Sequence, residues 1–140
     1  MEKISIEENG NSIFGYVVSV EEENWKNFLA DKISTQEMIK LENAIAKSQV
    51  KEVAICKNLW VEKSQRRQGI GSDLFASFMD EAGADLFFLE ADIWDSPKEA
   101  IINFYQNFYF DLLLDSESVM WYSNDDFLRQ KLEESPSVTF

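Results

Sequence analysis

Between Leu59 and Ser72 the residue types change in an order that suits anion binding. Leu59-Trp60-Val61 is apolar, Glu62 to Gln68 is polar, and Gly69 and Gly71 precede an amphipathic run. This reads as strand, loop and helix. Glycines at 69 and 71 admit backbone conformations and close approaches that a Cβ would hinder, so several N–H groups can converge on one anion. The first turn of the following helix adds unpaired N–H groups and the positive end of its dipole. Arg66 and Arg67 bring charge to the same spot in an otherwise acidic chain. A surface turn closing on a helix cap uses the same residue types and is the competing reading. Nucleotide hydrolysis fits poorly because no Lys follows Gly71, and a dinucleotide fingerprint needs a third glycine where Leu74 stands.

Two further positions offer proton chemistry. Glu90 and Asp92 share one face of the apolar run from Asp85 to Ile93. Neighbouring carboxylates on an apolar strand hold protons more tightly, which suits one of them to general-base work near neutral pH. Tyr105 carries a phenol, which with a pKa of about 10 remains a proton donor at neutral pH. Each also has an ordinary structural reading, Glu90 as a strand-end rim or ion-pair partner and Tyr105 as an amphipathic core residue. Glu62 is a weaker base candidate. Cys56 is a weaker nucleophile still, because a lone buried cysteine usually serves as a small hydrophobe.

Arg66-x-x-Gly69-x-Gly71, directly after a strand ending Leu59-Trp60-Val61, resembles the pyrophosphate loop of the GNAT superfamily of acyl-CoA-dependent N-acyltransferases. Ile101 to Phe110 is similar to that superfamily's late signature, a helix carrying Phe-Tyr followed four residues later by Gly-Phe; here Phe104-Tyr105 is followed by Tyr109-Phe110. The resemblance runs from Glu52 to about Tyr122. It implies acetyl-CoA as co-substrate, no metal, and a CoA site formed by Leu59, Trp60, Val61, Arg66, Arg67, Gln68, Gly69, Ile70, Gly71 and Ser72. Within that set, Leu59 and Val61 would pair with the pantetheine arm through main chain. The resemblance also implies that Tyr105 lies near the acyl-CoA sulfur, where it would protonate or hydrogen-bond the leaving thiolate after an amine attacks the thioester. Leu89-Glu90 resembles the site of ribosomal-protein-type N-terminal acetyltransferases, which implies Glu90 as base, directly or through water.

The chain departs from the superfamily at several positions. Ile55 and Lys57 stand where several members carry a base. Lys98 and Ile101 stand where Asn and Ala are frequent. Tyr109 replaces the glycine at which the chain leaves the helix with positive φ, so this turn is expected to be remodelled.

The elements that position these groups follow from patterning. Residues 3–7 and 13–20, around Asn9-Gly10-Asn11, predict a β-hairpin. A short helix starts at Glu21-Glu22-Glu23, with Trp25, Phe28 and Leu29 on one face, and Ser34-Thr35-Gln36-Glu37 is a capping box before Met38, Leu41 and Ile45. Placing the hairpin before both helices differs from the usual order in the superfamily, so the amino-terminal half reads as shortened or rearranged. On the loop strand, Glu52 to Val61, strict alternation puts Val53, Ile55, Lys57, Leu59 and Val61 on one face. Ser72 to Ala82 reads as a helix closed by Gly83, and Ser96-Pro97-Lys98-Glu99 as a capping box with Pro at the first helical position. A closing hairpin spans Phe110–Leu114 and Val119–Ser123, with an acidic tip that the resemblance sets beside the acceptor. Asn124 is expected to cap a last helix, before a tail at 135–140.

Composition bounds the rest. At 140 residues, 45% hydrophobic, the chain is expected to form one α/β domain of the α+β type over 1–134, a mixed and mainly antiparallel sheet flanked by helices. Twenty-six acidic against 13 basic residues give a net charge of −13, which disfavours nucleic acid and anionic membranes and favours a cationic amine acceptor, small molecule, peptide or protein. One cysteine and no histidine exclude a disulfide framework, a His-based triad and Cys or His zinc sites. No signal peptide or membrane-length apolar run is read, so a cytoplasmic location is expected. A shortened front half also allows a homodimer. The rival to an enzyme is a non-catalytic CoA-binding module, or an acidic decoy for a basic protein surface.

Overall fold

The computed structural model describes residues 1–66, 68–91 and 97–133. Chain order is β1 (Glu2–Glu8), β2 (Asn11–Ser19), α1 (Asn24–Leu29), α2 (Thr35–Lys47), β3 (Glu52–Trp60), a 3₁₀ turn (Lys63–Gln65), α3 (Ile70–Ala82), β4 (Leu86–Glu90), α4 (Lys98–Gln106), β5 (Asp111–Leu112), β6 (Val119–Ser123) and α5 (Asp126–Glu133). The hairpin does precede both early helices. The strands form one six-stranded sheet in the order β1-β2-β3-β4-β6-β5. Among the described residues only β3 and β4 pair in parallel; every other neighbouring pair is antiparallel.

Each face of the sheet buries its own core. Trp25 and Leu29 of α1, Leu41 and Ile45 of α2, and Leu128 and Leu132 of α5 pack with Val53, Ile55, Leu86 and Phe88 on one face. On the other, Leu74, Phe75 and Phe78 of α3 and Tyr105 of α4 pack with Ala54, Cys56, Phe87 and Leu89. The odd and even residues of β4 therefore serve different cores, which explains why its sequence is an unbroken apolar run.

The turn chemistry is largely as the residue types demand. Asn9 and Gly10 both have positive φ (53° and 83°), as a two-residue hairpin turn requires. Ser34 and Glu37 form the reciprocal capping box of α2, and the second oxygen of Glu37 also accepts the Asp115 N–H at 3.0 Å. These bonds, Ser34's first, hold the Glu37 carboxyl below its ordinary value. At α5 the cap is Asp125 rather than Asn124: its carboxylate accepts Leu128 N–H and Gln49 N–H, tying the helix start to the chain before β3. At α4 the helix begins one residue later than expected, with Pro97 at the capping position; Ser96 lies outside the described residues, as do Asp92, Ile93 and the tail.

Two expectations are corrected. The faces of β3 do not alternate throughout. Phe14 pairs with Asn58 and Gly15 with Cys56, so Lys57 has no partner on β2 and forms a bulge. One extra residue reverses facing, and Leu59 and Val61 join the α3/α4 core with Cys56 instead of the face of Val53 and Ile55. Glycine is required opposite: a Cβ on Gly15 would stand 2.2 Å from the Ile55 carbonyl oxygen and 2.6 Å from the Phe78 ring.

The second correction concerns Tyr109. The turn after α4 is not remodelled, because Tyr109 itself adopts φ 68° with its side chain 81% exposed. Tyr109 N–H donates to the Gln106 carbonyl at 2.9 Å and Phe110 N–H to the Tyr105 carbonyl at 3.2 Å, the paired bonds of a Schellman motif. The left-handed geometry is retained at a steric cost of about 1 kcal/mol. Tyr109→Gly should therefore raise unfolding stability by about 1 kcal/mol in chemical denaturation, with an unchanged denaturant slope; an equal or lower midpoint would refute this.

Candidate functional site

The bulge has a consequence for the sheet's centre. Parallel pairing of β3 with β4 runs from Val53↔Leu86 to Cys56↔Leu89 and stops there, while β3 continues to Trp60. Past the bulge β3 still pairs with β2, through Asn58, Leu59 and Trp60. Its other backbone edge therefore faces a gap, where no β4 partner lies among the described residues. A cleft of about 900 Å³ occupies that gap, lined by β3 and its continuation, by Gly69, Gly71 and Ser72, by Leu89 and Glu90, and by Ala100, Ile101, Phe104 and Tyr105 of α4.

At one end lies the glycine loop. Gly69, at φ 81°, turns the chain so that α3 starts at Ile70, two residues earlier than the sequence pattern suggests. Its first helical hydrogen bond is Asp73 N–H to the Gly69 carbonyl at 3.0 Å, so the N–H groups of Ile70, Gly71 and Ser72 precede that ladder. Arg66 is held at the same end: its Nε donates to the Val61 carbonyl at 2.8 Å and its guanidinium lies over the Trp60 ring, 5.1 Å from the centroid. The indole, 40% exposed, thus serves as a platform for the cation. Gln68 is exposed, with its amide donating to the Ser64 carbonyl. Arg67 lies outside the described residues.

At the other end, where β3 and β4 part, the cleft is lined by Cys56, Lys57, Leu89, Glu90 and Tyr105. Tyr105 is 9% exposed and packs edge-on against Phe75, with centroids 5.1 Å apart, and against Phe104 at 5.0 Å. Its ring is thus fixed by the core while the residue lines the cleft. Glu90 terminates β4 and is exposed, not buried as the apolar run suggests. Cys56 is buried, and burial pushes its thiol up to about 12 from an ordinary 9.0, against a backbone hydrogen bond from Asn58 that lowers it. It is a hydrophobe. Among the described residues no group of three or more Cys, Asp or Glu side chains is disposed to hold a metal, and no described helix is long and apolar enough to cross a membrane.

The sequence reading missed the residue that holds the loop. Asn11, 1% exposed at the start of β2, accepts Glu62 N–H at 2.7 Å and donates to Gln65 Oε1 at 2.9 Å. Gln65 in turn donates to the Asn9 carbonyl at 3.2 Å. The hairpin end and the loop after β3 are thus one hydrogen-bonded unit. Asn11 reads from sequence only as a turn residue, since its partners stand more than fifty positions away.

No protein-family model matches the sequence, and no curated protein matches it either. Solved structures do share its architecture. The anti-CRISPR protein AcrVA5 is similar with a TM-score of 0.52 at 22% identity, over 88% of this chain and 100% of that one. The KacTA–DNA complex gives 0.50 at 18%, over 86% of this chain and 61% of that one. A mutant AtaT toxin, solved with the C-terminus of the antitoxin AtaR and acetyl-CoA, gives 0.50 at 14%, over 89% and 64%. The chain thus spans less than two thirds of the last two. The fold is that of the GNAT superfamily, a mixed and mostly antiparallel sheet between helices.

Burial of Cys56 has a measurable result. At pH 8, iodoacetamide should alkylate the folded chain slower than the urea-unfolded chain by roughly two orders of magnitude or more. Because the folded thiol keeps its proton while the unfolded one releases it from about 9, unfolding stability should fall as pH rises from 9 toward 12, by more than in Cys56→Ala. Equal alkylation rates in the two states would contradict this.

Proposed function

We propose that this chain transfers an acetyl group from acetyl-CoA to a primary amine. The observation that carries the reading is the parting of β3 from β4 between an anion-binding loop and a fixed phenol. On this reading Arg66 and the N–H groups of Gly69, Ile70, Gly71 and Ser72 hold the pyrophosphate, with Gln68 beside them. Leu59 and Val61 offer main-chain groups on the open edge of β3 to the pantetheine arm, with Trp60 bracing Arg66. A cleft of about 900 Å³ lined in part by Leu59, Val61, Leu89, Ile101 and Phe104 has room for such an arm.

When bound, acetyl-CoA supplies an activated acetyl carbon and a thiol leaving group. Tyr105 holds a proton at its phenol oxygen for that sulfur, with its ring kept in place by Phe75 and Phe104. Glu90, at the end of β4, accepts the proton of the incoming amine directly or through water. Backbone N–H groups on the open edge of β3 stabilise the carbonyl oxygen. A second reading, a CoA-binding module without turnover, is favoured by the exposure of Glu90, since no packing holds an exposed carboxylate in one position for proton transfer.

Two substitutions separate these readings. A Cβ on Gly71 would meet Val61 and Phe104 at ordinary contact distances of 3.6 and 3.7 Å, so the fold tolerates a side chain there. Gly71→Glu would set a carboxylate against the anion loop and should weaken acetyl-CoA binding in calorimetry by roughly 100-fold or more, with little change in melting temperature. Undiminished affinity would remove the loop from the site. Tyr105→Phe should keep the affinity and lower turnover by about 100-fold; unchanged turnover would make Tyr105 a core residue only.

A further inference from the structure

The bulge that opens the cleft also directs a charge. Lys57 lines the cleft where the strands part, and it carries its ammonium to the α1 face of the sheet, 5.2 Å from the Phe28 ring centroid. Lys32 approaches the same ring at 4.5 Å. Two ammoniums crowding one ring sit no farther apart than those two distances combined, within the Debye length of about 10 Å at 0.1 M salt, so the fields of the two overlap. Lys32 is partly satisfied by Asp31 at 3.2 Å and by the Phe28 carbonyl at 2.8 Å. Lys57 has no ion-pair partner among the described residues.

We propose that the acceptor carries an anionic group, a carboxylate, close to its reactive amine, and that Lys57, assisted by Lys32, binds that group on the α1 side of the gap. The inference rests on the acetyltransferase reading and narrows its acceptor. A net charge of −13 draws any ammonium at long range. Within contact range the balance differs, because Glu90 is the one carboxylate lining the cleft among the described residues, and Lys57 lines the same cleft. A purely cationic acceptor would meet Lys57 at close quarters, at a cost that falls on binding and orientation alike. An acceptor with both signs satisfies both side chains: its amine faces Glu90 and its carboxylate faces Lys57. Two point contacts also fix the direction of approach, which a single contact leaves open.

The test uses matched acceptors, β-alanine against β-alaninamide and, with both C-termini amidated, Ala-Asp against Ala-Asn, with thiol release from acetyl-CoA as the signal. The carboxylate member of each pair should have a kcat/KM at least about 10-fold higher, mainly through KM. Lys57→Gln should bring that ratio close to one, Lys32→Gln should lower it partly, and Lys57→Arg should retain it. Parity or an amide preference in the wild type overturns the proposal, as does a ratio unmoved in Lys57→Gln. Absence of turnover with every acceptor, in a chain that calorimetry shows to bind acetyl-CoA, overturns it too. Failure to bind acetyl-CoA would instead sink the underlying acetyltransferase reading.

Discussion

The contact between Gly15 and the Ile55 carbonyl constrains everything at the centre of this sheet. Two backbones approach there so closely that no side chain fits between them and Phe78, and two residues after Ile55 β3 bulges at Lys57. Before the bulge, β3 belongs to a continuous sheet. After it, the strand stays with β2 and leaves β4 behind. The cleft is therefore not carved between helices. Among the described residues it is a sheet left unfinished on one side, with main-chain groups of β3 facing space that another extended group can occupy.

Charge within the molecule is arranged against its own average. An acidic chain gathers Arg66 and a helix start at one end of the cleft and Lys57 at the other. Each cation is held by an aromatic face, Arg66 by Trp60 and Lys57 by Phe28. Lys57 has no ion-pair partner among the described residues, so its charge stays available to a ligand. Whole-chain charge speaks to long-range attraction and solubility; the groups within a few ångströms decide recognition.

Much of this was legible in the sequence, and the failures have physical causes. The hairpin turn at Asn9-Gly10, the capping box at Ser34 and Glu37, and the glycine loop at 69–71 are local chemistry, where residue type and backbone geometry are tightly linked. The bulge was not legible, because Lys57 breaks alternation only through a glycine forty-two positions earlier. Asn11 escaped for the same reason, since its partners are distant in sequence. Tyr109 was legible as an anomaly but its resolution was not: the chain keeps the geometry glycine would have taken, since two hydrogen bonds and the aromatic packing of Phe110 around Phe75 and Tyr105 hold the turn. Glu90 was placed on the correct strand, yet its exposure depends on where β4 ends, and terminal residues follow from pairing more than from pattern.

The buried amide of Asn11 ties the hairpin's end to the loop that follows β3, and this bears on how the molecule opens. A loop hanging on a sheet by its own ends usually frays alone, with little cost to its neighbours. Here the loop cannot lift away without stripping partners from a fully buried side chain, an expense that the hairpin would share. Loop and hairpin are thus joined into one cooperative unit of local unfolding. Anything that grips the glycine loop would slow amide exchange in β1 and β2, strands it never touches.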